Sequence, residues 1–160
     1  MVKVLFVCTG NVFRSIAAEY LFKKYLDERG IKDVSVSSAG IESLPQPIDP
    51  RVRSVLASHG IDVSAHRQRK LTDEILHAND LVVAMADYHV EFIRENFGVE
   101  VPLFDEVALG KKESVLDVND AIPDYLTNLP AVEAHIKKII QHIDDSIPLF
   151  YRNMRNWLNK

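Results

Sequence analysis

Cys8 and Arg14 are separated by five residues, Thr9-Gly10-Asn11-Val12-Phe13. The four residues before them, Val4 to Val7, are apolar and read as a buried strand, and a helical pattern begins near Ser15. Gly10 and Asn11 supply turn chemistry between the two. A strand, a glycine-bearing loop and a helix start can curl successive backbone N–H groups into a nest that fits a tetrahedral oxyanion such as phosphate. The planar fork of Arg14 can hold two phosphate oxygens at once. Cys8 stands at one rim, and amide donors, a helix N-terminus and a guanidinium each favour a thiolate over a thiol. Nucleophile and anion cradle then come from one loop, and the chemistry they suit is phosphoryl transfer through a phosphocysteine.

The run Cys8-Thr9-Gly10-Asn11-Val12-Phe13-Arg14-Ser15, opening the chain after a strand, resembles the P-loop of the low-molecular-weight protein tyrosine phosphatases. That loop reads Cys, any residue, Gly, Asn, two variable positions, Arg, Ser. Cysteine and arginine at this spacing are a weak signal alone; with Gly, Asn and Ser also matched the resemblance is specific, and it covers roughly residues 2–145. It implies a phosphatase with Cys8 as nucleophile, Arg14 and the loop from Thr9 to Ser15 as phosphate cradle, and no cofactor. Ser15 would donate to the Cys8 sulfur and could also cap the first helix. Ser-Ala-His-Arg at 64–67 matches the segment whose histidine braces the loop, so His66 would contact Asn11, with Ser38 adding a further bond. The family's general acid, which then serves as base, is an aspartate in an Asp-Pro-Tyr-like motif. This chain has no Asp-Pro there. Its segment is Asp117-Val118-Asn119-Asp120-Ala121-Ile122-Pro123-Asp124-Tyr125-Leu126, in which Asp124 is the first candidate and Asp120 the alternative. The substrate mouth is expected from Thr9, Val12, Phe13, Tyr125 and the proline loop near Glu42 to Ile48. Phe13 replaces a second cysteine that many members carry, so their protective disulfide cannot form. Val12 stands where relatives resembling phosphoarginine phosphatases carry threonine, which favours the tyrosine-directed class.

The elements that must position these groups follow from periodicity. A first helix is predicted from Ser15 to Arg29, stopped by Gly30, and a second strand from Asp33 to Gly40. Pro45, Pro47 and Pro50 make 41–50 a stiff loop. Asp49-Pro50 opens a helix ending at His59-Gly60, and Leu71 to His77 forms a short helix behind a Thr72-Asp73 cap. A strand over Leu81 to Met85, a helix from Asp87 to Asn96 and a short strand at Val101 to Phe104 follow. Residues 105–130 read as mostly loop, and a last helix spans Pro130 to Asp144. Strands alternating with helices imply a parallel sheet covered on both faces. The expectation is four parallel strands, order 2-1-3-4, in a doubly wound Rossmann-like α/β/α arrangement, with the ligand at the carboxyl ends of the strands, where Cys8 falls.

Length supports one domain over residues 1–160, with a C-terminal extension at about 146–160. A net charge of −4 argues against nonspecific nucleic-acid binding. One cysteine excludes an internal disulfide and fits a reducing cytoplasm. No leader or membrane-spanning run is expected. The histidines His59, His66, His77, His89, His135 and His142 match no zinc spacing, so no metal is expected. An arsenate reductase, a related class with a similar loop, needs further cysteines, and an NTPase P-loop would need Gly-x4-Gly-Lys-Ser/Thr. Expected partners are a phosphotyrosine protein or small aryl phosphate, with inorganic phosphate as product. The aromatic tail, with Phe150, Tyr151, Met154, Trp157 and Leu158, packs on its own domain or docks a partner or second copy. The competing reading is a catalytically weak phosphate-binding module on the same fold.

Overall fold

The computed structural model describes residues 1–42 and 44–158. Ser43, within the expected mouth loop, and Asn159 and Lys160, at the end of the tail, lie outside the described residues.

Among the described residues, three parallel strands form the sheet: β1 (Val2–Cys8) in the middle, β2 (Val34–Gly40) on one side and β3 (Leu81–Ala84) on the other. Strand side chains alternate between faces, so the apolar run of β1 is divided. Val4, Phe6 and Cys8 enter the larger core, and Leu5 and Val7 enter a smaller one on the opposite face. The larger core is covered by α1 (Arg14–Glu28), α2 (Pro50–Ser58), α5 (Phe104–Leu109) and α7 (Leu129–Asn153). Leu76 of α3 (Asp73–His77) and Ile93 of α4 (Asp87–Phe97) close the other face. Among the described residues, no helix is long and apolar enough to cross a membrane.

The expected fourth strand needs correction. Residues 101–104 make a single parallel bridge, Ala84 to Leu103, through the Ala84 N–H donating to Pro102 O at 2.9 Å. Pro102 has no N–H to continue a ladder. The Leu103 N–H bonds instead to Glu106 Oε1 at 3.2 Å, where α5 begins. The segment lies beside β3, as order 2-1-3-4 would have it, but only order 2-1-3 is a sheet. The supposed loop over 105–130 also contains α5 and the short α6 (Val118–Ala121).

The last helix continues past Asp144 to Asn153 and ends in a 3-10 turn, Met154–Trp157. Phe150 and Met154 are fully buried, and Tyr151, Trp157 and Leu158 pack against the same core. Phe150 stacks on Phe104 with centroids 5.3 Å apart and meets Phe6 at 5.2 Å and Phe22 at 5.5 Å. Pairs of this kind contribute about 0.5–1.5 kcal/mol each beyond the area they bury. The tail's apolar side chains are thus spent on its own fold.

Candidate active site

Cys8 ends β1, and the chain crosses to α1 through residues 9–13 beside the end of β2. Cys8 pairs with Gly40, the Ile41 N–H donates to Cys8 O at 3.0 Å, and the Glu42 N–H donates to Thr9 O at 2.9 Å. A Cβ on Gly40 would lie 2.6 Å from Thr9 O and 2.9 Å from Asn11 N, so only glycine allows this approach.

Asn11 organises the loop. It is fully buried and left-handed, with φ 57°, a region asparagine tolerates better than most residues. Its Nδ2 group donates to Ser15 Oγ at 2.9 Å and to Ser38 Oγ at 2.8 Å, and its Oδ1 accepts from the Arg69 N–H at 3.2 Å. His66 Nε2 reaches Asn11 O at 3.0 Å. Gln68 Nε2 donates to Gly10 O at 2.6 Å and to Leu44 O at 2.9 Å, tying the proline loop to the cradle. Because Ser15 accepts from Asn11, its own proton is free to go to Cys8 Sγ, 2.9 Å away. Ser38 passes its proton to Glu19. A Cys8 thiolate can only accept, so in that state the Ser15 hydroxyl is the donor and stabilises negative charge on sulfur. Phe13, not Ser15, occupies the cap position of α1, which corrects the capping role expected of Ser15.

Arg14 is 1% exposed. Its Nη1 donates to Val115 O at 3.0 Å, and its Nη2 to Thr9 Oγ1 at 3.3 Å and Asp117 Oδ2 at 3.4 Å. Burial works against its charge, but Cys8, Asp117 and Tyr88 together hold its pKa above the ordinary value. Val115 is itself fixed by donating its N–H to Met85 O at 2.7 Å, at the end of β3.

The two aspartate candidates are placed differently. Asp120 accepts from Tyr88 OH at 2.7 Å and from the Asp117 N–H at 3.0 Å. The Tyr88 ring centroid lies 5.7 Å from the Arg14 guanidinium carbon, so Asp120 belongs to the arginine's surroundings. Burial foremost, partly offset by Arg14 and reinforced by Asp120, pushes Tyr88 up to about 12; the phenol stays protonated and donates. Asp124 instead accepts from Asn128 Nδ2 at 3.2 Å within its own turn. Tyr125 is 39% exposed, and its N–H bonds locally to Ile122 O. Phe13 is 7% exposed and lies in the core, so it forms the floor behind the loop instead of an aromatic wall of the mouth. Val12 is partly buried at the rim.

The residues around Arg14 and Thr9 that spacing did not single out include Tyr88, His89 and Asp117. They contact the loop across 74 to 103 positions of sequence, beyond any motif. One signal was available: Met85 to His89 directly follow the carboxyl end of β3, where ligands of such sheets bind. Among the described residues, no group of three or more His, Cys, Asp or Glu could hold a metal ion.

The family described as low molecular weight phosphotyrosine protein phosphatase matches residues 3–156, which takes in most of the tail that the loop resemblance left outside. Among curated proteins, the "Probable low molecular weight protein-tyrosine-phosphatase EpsP" of Ralstonia nicotianae is 33% identical over 146 residues, covering 91% of this chain and 93% of that one. A "Protein-arginine-phosphatase" of Bacillus subtilis is 36% identical over 118 residues, covering 71% and 77% of the two chains. Among solved structures, the low molecular weight protein tyrosine phosphatase of T. tengcongensis superposes with a TM-score of 0.79 at 30% identity, covering 95% of this chain and 99% of that one. A YwlE arginine phosphatase mutant with a phosphorylated active site serine superposes with a TM-score of 0.81 at 27% identity, covering 96% and 95%.

Proposed function

This chain belongs to the low molecular weight phosphotyrosine protein phosphatase family, and on that premise we propose that it hydrolyses phosphotyrosine and similar aryl phosphate monoesters through a phosphocysteine. The observation that carries this reading is the hydrogen-bonded series Asn11, Ser15, Cys8, with Arg14 buried beside it. The Cys8 thiolate attacks phosphorus, an S–P bond forms, and the P–O bond to the aryl group breaks. Arg14 and the loop amides stabilise charge on the equatorial oxygens. The leaving oxygen takes a proton from an aspartate. Water then attacks phosphorus, the same aspartate takes its proton, and the S–P bond breaks to release inorganic phosphate. Ser15 donates to the departing sulfur.

Asp120 is the better-supported acid, because it alone of the two candidates reaches the Arg14 environment, through Tyr88. Asp124 is held by its own turn. A valine at 12 brings no hydroxyl to the rim, and the Tyr88 ring offers an aromatic wall, which together support an aryl substrate over phosphoarginine. A single thiol that must stay reduced fits work in the cytoplasm.

The test is turnover of p-nitrophenyl phosphate and of a phosphotyrosine peptide, with a phosphoarginine peptide alongside. Wild type turns over the first two and Cys8→Ser does not. Asp120→Ala loses about 10²-fold or more in kcat on the peptide, while Asp124→Ala stays within about threefold. Phosphate binding without wild-type turnover would establish the silent module instead, and preferential turnover of phosphoarginine would move the substrate class.

A further inference from the structure

His89 is completely buried, yet the mechanism above gives it nothing to do. Its two ring nitrogens face different neighbours. Nδ1 lies 3.0 Å from the backbone N–H of Ala86, a group that can only donate, so Nδ1 must be the bare, accepting nitrogen. Burial foremost, and then the positive charge of Arg14, lower the pKa of His89 to about 3, so the ring is neutral at working pH and its one proton sits on Nε2. That proton points at Thr9 Oγ1, 2.9 Å away.

The Thr9 hydroxyl therefore accepts from His89. It also accepts from Arg14 Nη2 at 3.3 Å, and a guanidinium has no lone pair with which to accept anything in return. Two donors occupy both lone pairs of the oxygen. The hydroxyl's own proton can go to neither neighbour and takes the remaining tetrahedral direction, where no described residue accepts it. This leaves an oriented O–H donor one residue after Cys8, on the same oxygen that touches the Arg14 guanidinium.

We propose that Thr9 is a phosphoryl-binding donor in this enzyme and that His89 is the positioning residue that aims it: the imidazole fixes the direction of the Thr9 proton so that it meets an oxygen of the phosphoryl group held by Arg14. The inference rests on the phosphatase reading for its substrate but not for its ligand, since inorganic phosphate presents the same oxygens. His89 works through its neutral tautomer and never exchanges a proton with substrate. Its effect reaches the reaction only through Thr9.

The experiment compares wild type, Thr9→Val, Thr9→Ser, His89→Phe and the Thr9→Val/His89→Phe double variant. Two readouts are used: kcat/KM on p-nitrophenyl phosphate and the affinity for inorganic phosphate by calorimetry. Thr9→Val, nearly isosteric but without the hydroxyl, is expected to lose about tenfold in both, the size of one hydrogen bond to a charged group. Thr9→Ser recovers most of that loss. His89→Phe loses a similar factor, and the double variant loses about tenfold, not a hundredfold, because both changes remove one interaction. A purely structural bond would lower the melting temperature of Thr9→Val but leave phosphate affinity and kcat/KM within twofold, and that result overturns the proposal. Multiplied losses in the double variant overturn the role of His89. If His89→Phe does not fold, the Thr9→Val and Thr9→Ser pair still decides whether the hydroxyl binds phosphate. A wild type without turnover would sink the phosphatase reading, while phosphate calorimetry would still judge this one.

Discussion

The two sides of the pocket are built to different standards. On the cradle side Cys8, Asn11, Arg14, Ser15 and Ser38 are buried, and side-chain bonds link Cys8, Ser15, Asn11 and Ser38 to one another. On the acid side Asp120, Asp124 and Tyr125 are exposed, and most of their bonds stay within α6 and the turn after it. A buried network in a low-dielectric interior fixes geometry and is costly to interrupt. Exposed polar contacts contribute little and tolerate exchange. The contrast accounts for the departure at Asp120-Ala121. The segment supplying the acid can lack the Asp-Pro pair without disturbing the loop that binds phosphate, because its contacts to Arg14 run through Val115 O and Asp117, upstream of that pair.

The strongest way to break this comparison is Arg14→Lys. An ammonium keeps the charge but cannot serve Val115 O, Thr9 and phosphate oxygens as a fork does. We expect kcat/KM on p-nitrophenyl phosphate to fall by about 10²–10³-fold. A fall under tenfold would mean that the cradle needs only a charge. Asn11→Ala comes next. It leaves Ser15, Ser38 and the Arg69 N–H short of a partner and puts a Cβ-bearing residue at positive φ without a compensating side-chain bond. The expected cost is about 2–4 kcal/mol in urea unfolding, accompanied by loss of activity. A stable but inactive variant would show that the network serves chemistry alone. The smallest effect sharpens the contrast from outside the pocket. His142 bonds Asp105 at 2.7 Å between α7 and α5, and this bond, opposed by burial, raises its pKa above the usual histidine value. A raised folded pKa means that the contribution is complete below about pH 6.5, the unfolded value, and is lost as pH rises through the folded one. The melting-temperature gap between wild type and His142→Gln should therefore shrink on going from pH 6 to pH 8. Their kcat values should stay equal throughout, and a pH-independent gap would refute the assignment.

What could be read from sequence was what is local. Cys8 to Ser15 lie in one continuous segment, and the unbroken apolar run Val4 to Val7 announces a strand buried on both faces. His66 and Ser38 became visible only through the resemblance, since nothing in their spacing ties them to Asn11. Tyr88 and His89 reach the loop through the fold alone, and their neighbourhood was readable only as the end of a strand. The apolar spacing of Phe104, Val107 and Ala108 is that of a helix, and it was obscured by the apolar run Val101 to Phe104 just before it. The choice between Asp124 and Asp120 turned on counting positions in a segment that departs from its family, whereas the Tyr88 contact is a matter of three-dimensional placement.

Phe150 also bears on how the chain is made. Its ring closes against Phe6, so the first strand and the last helix must meet before the larger core is complete. A ribosome delivering about 5–20 residues per second exposes β1, with its sulfur, many seconds before residue 150 emerges. During that interval a growing polypeptide carries the nucleophile without the packing that holds its strand. Completion of the larger core behind the loop is therefore a late event in synthesis.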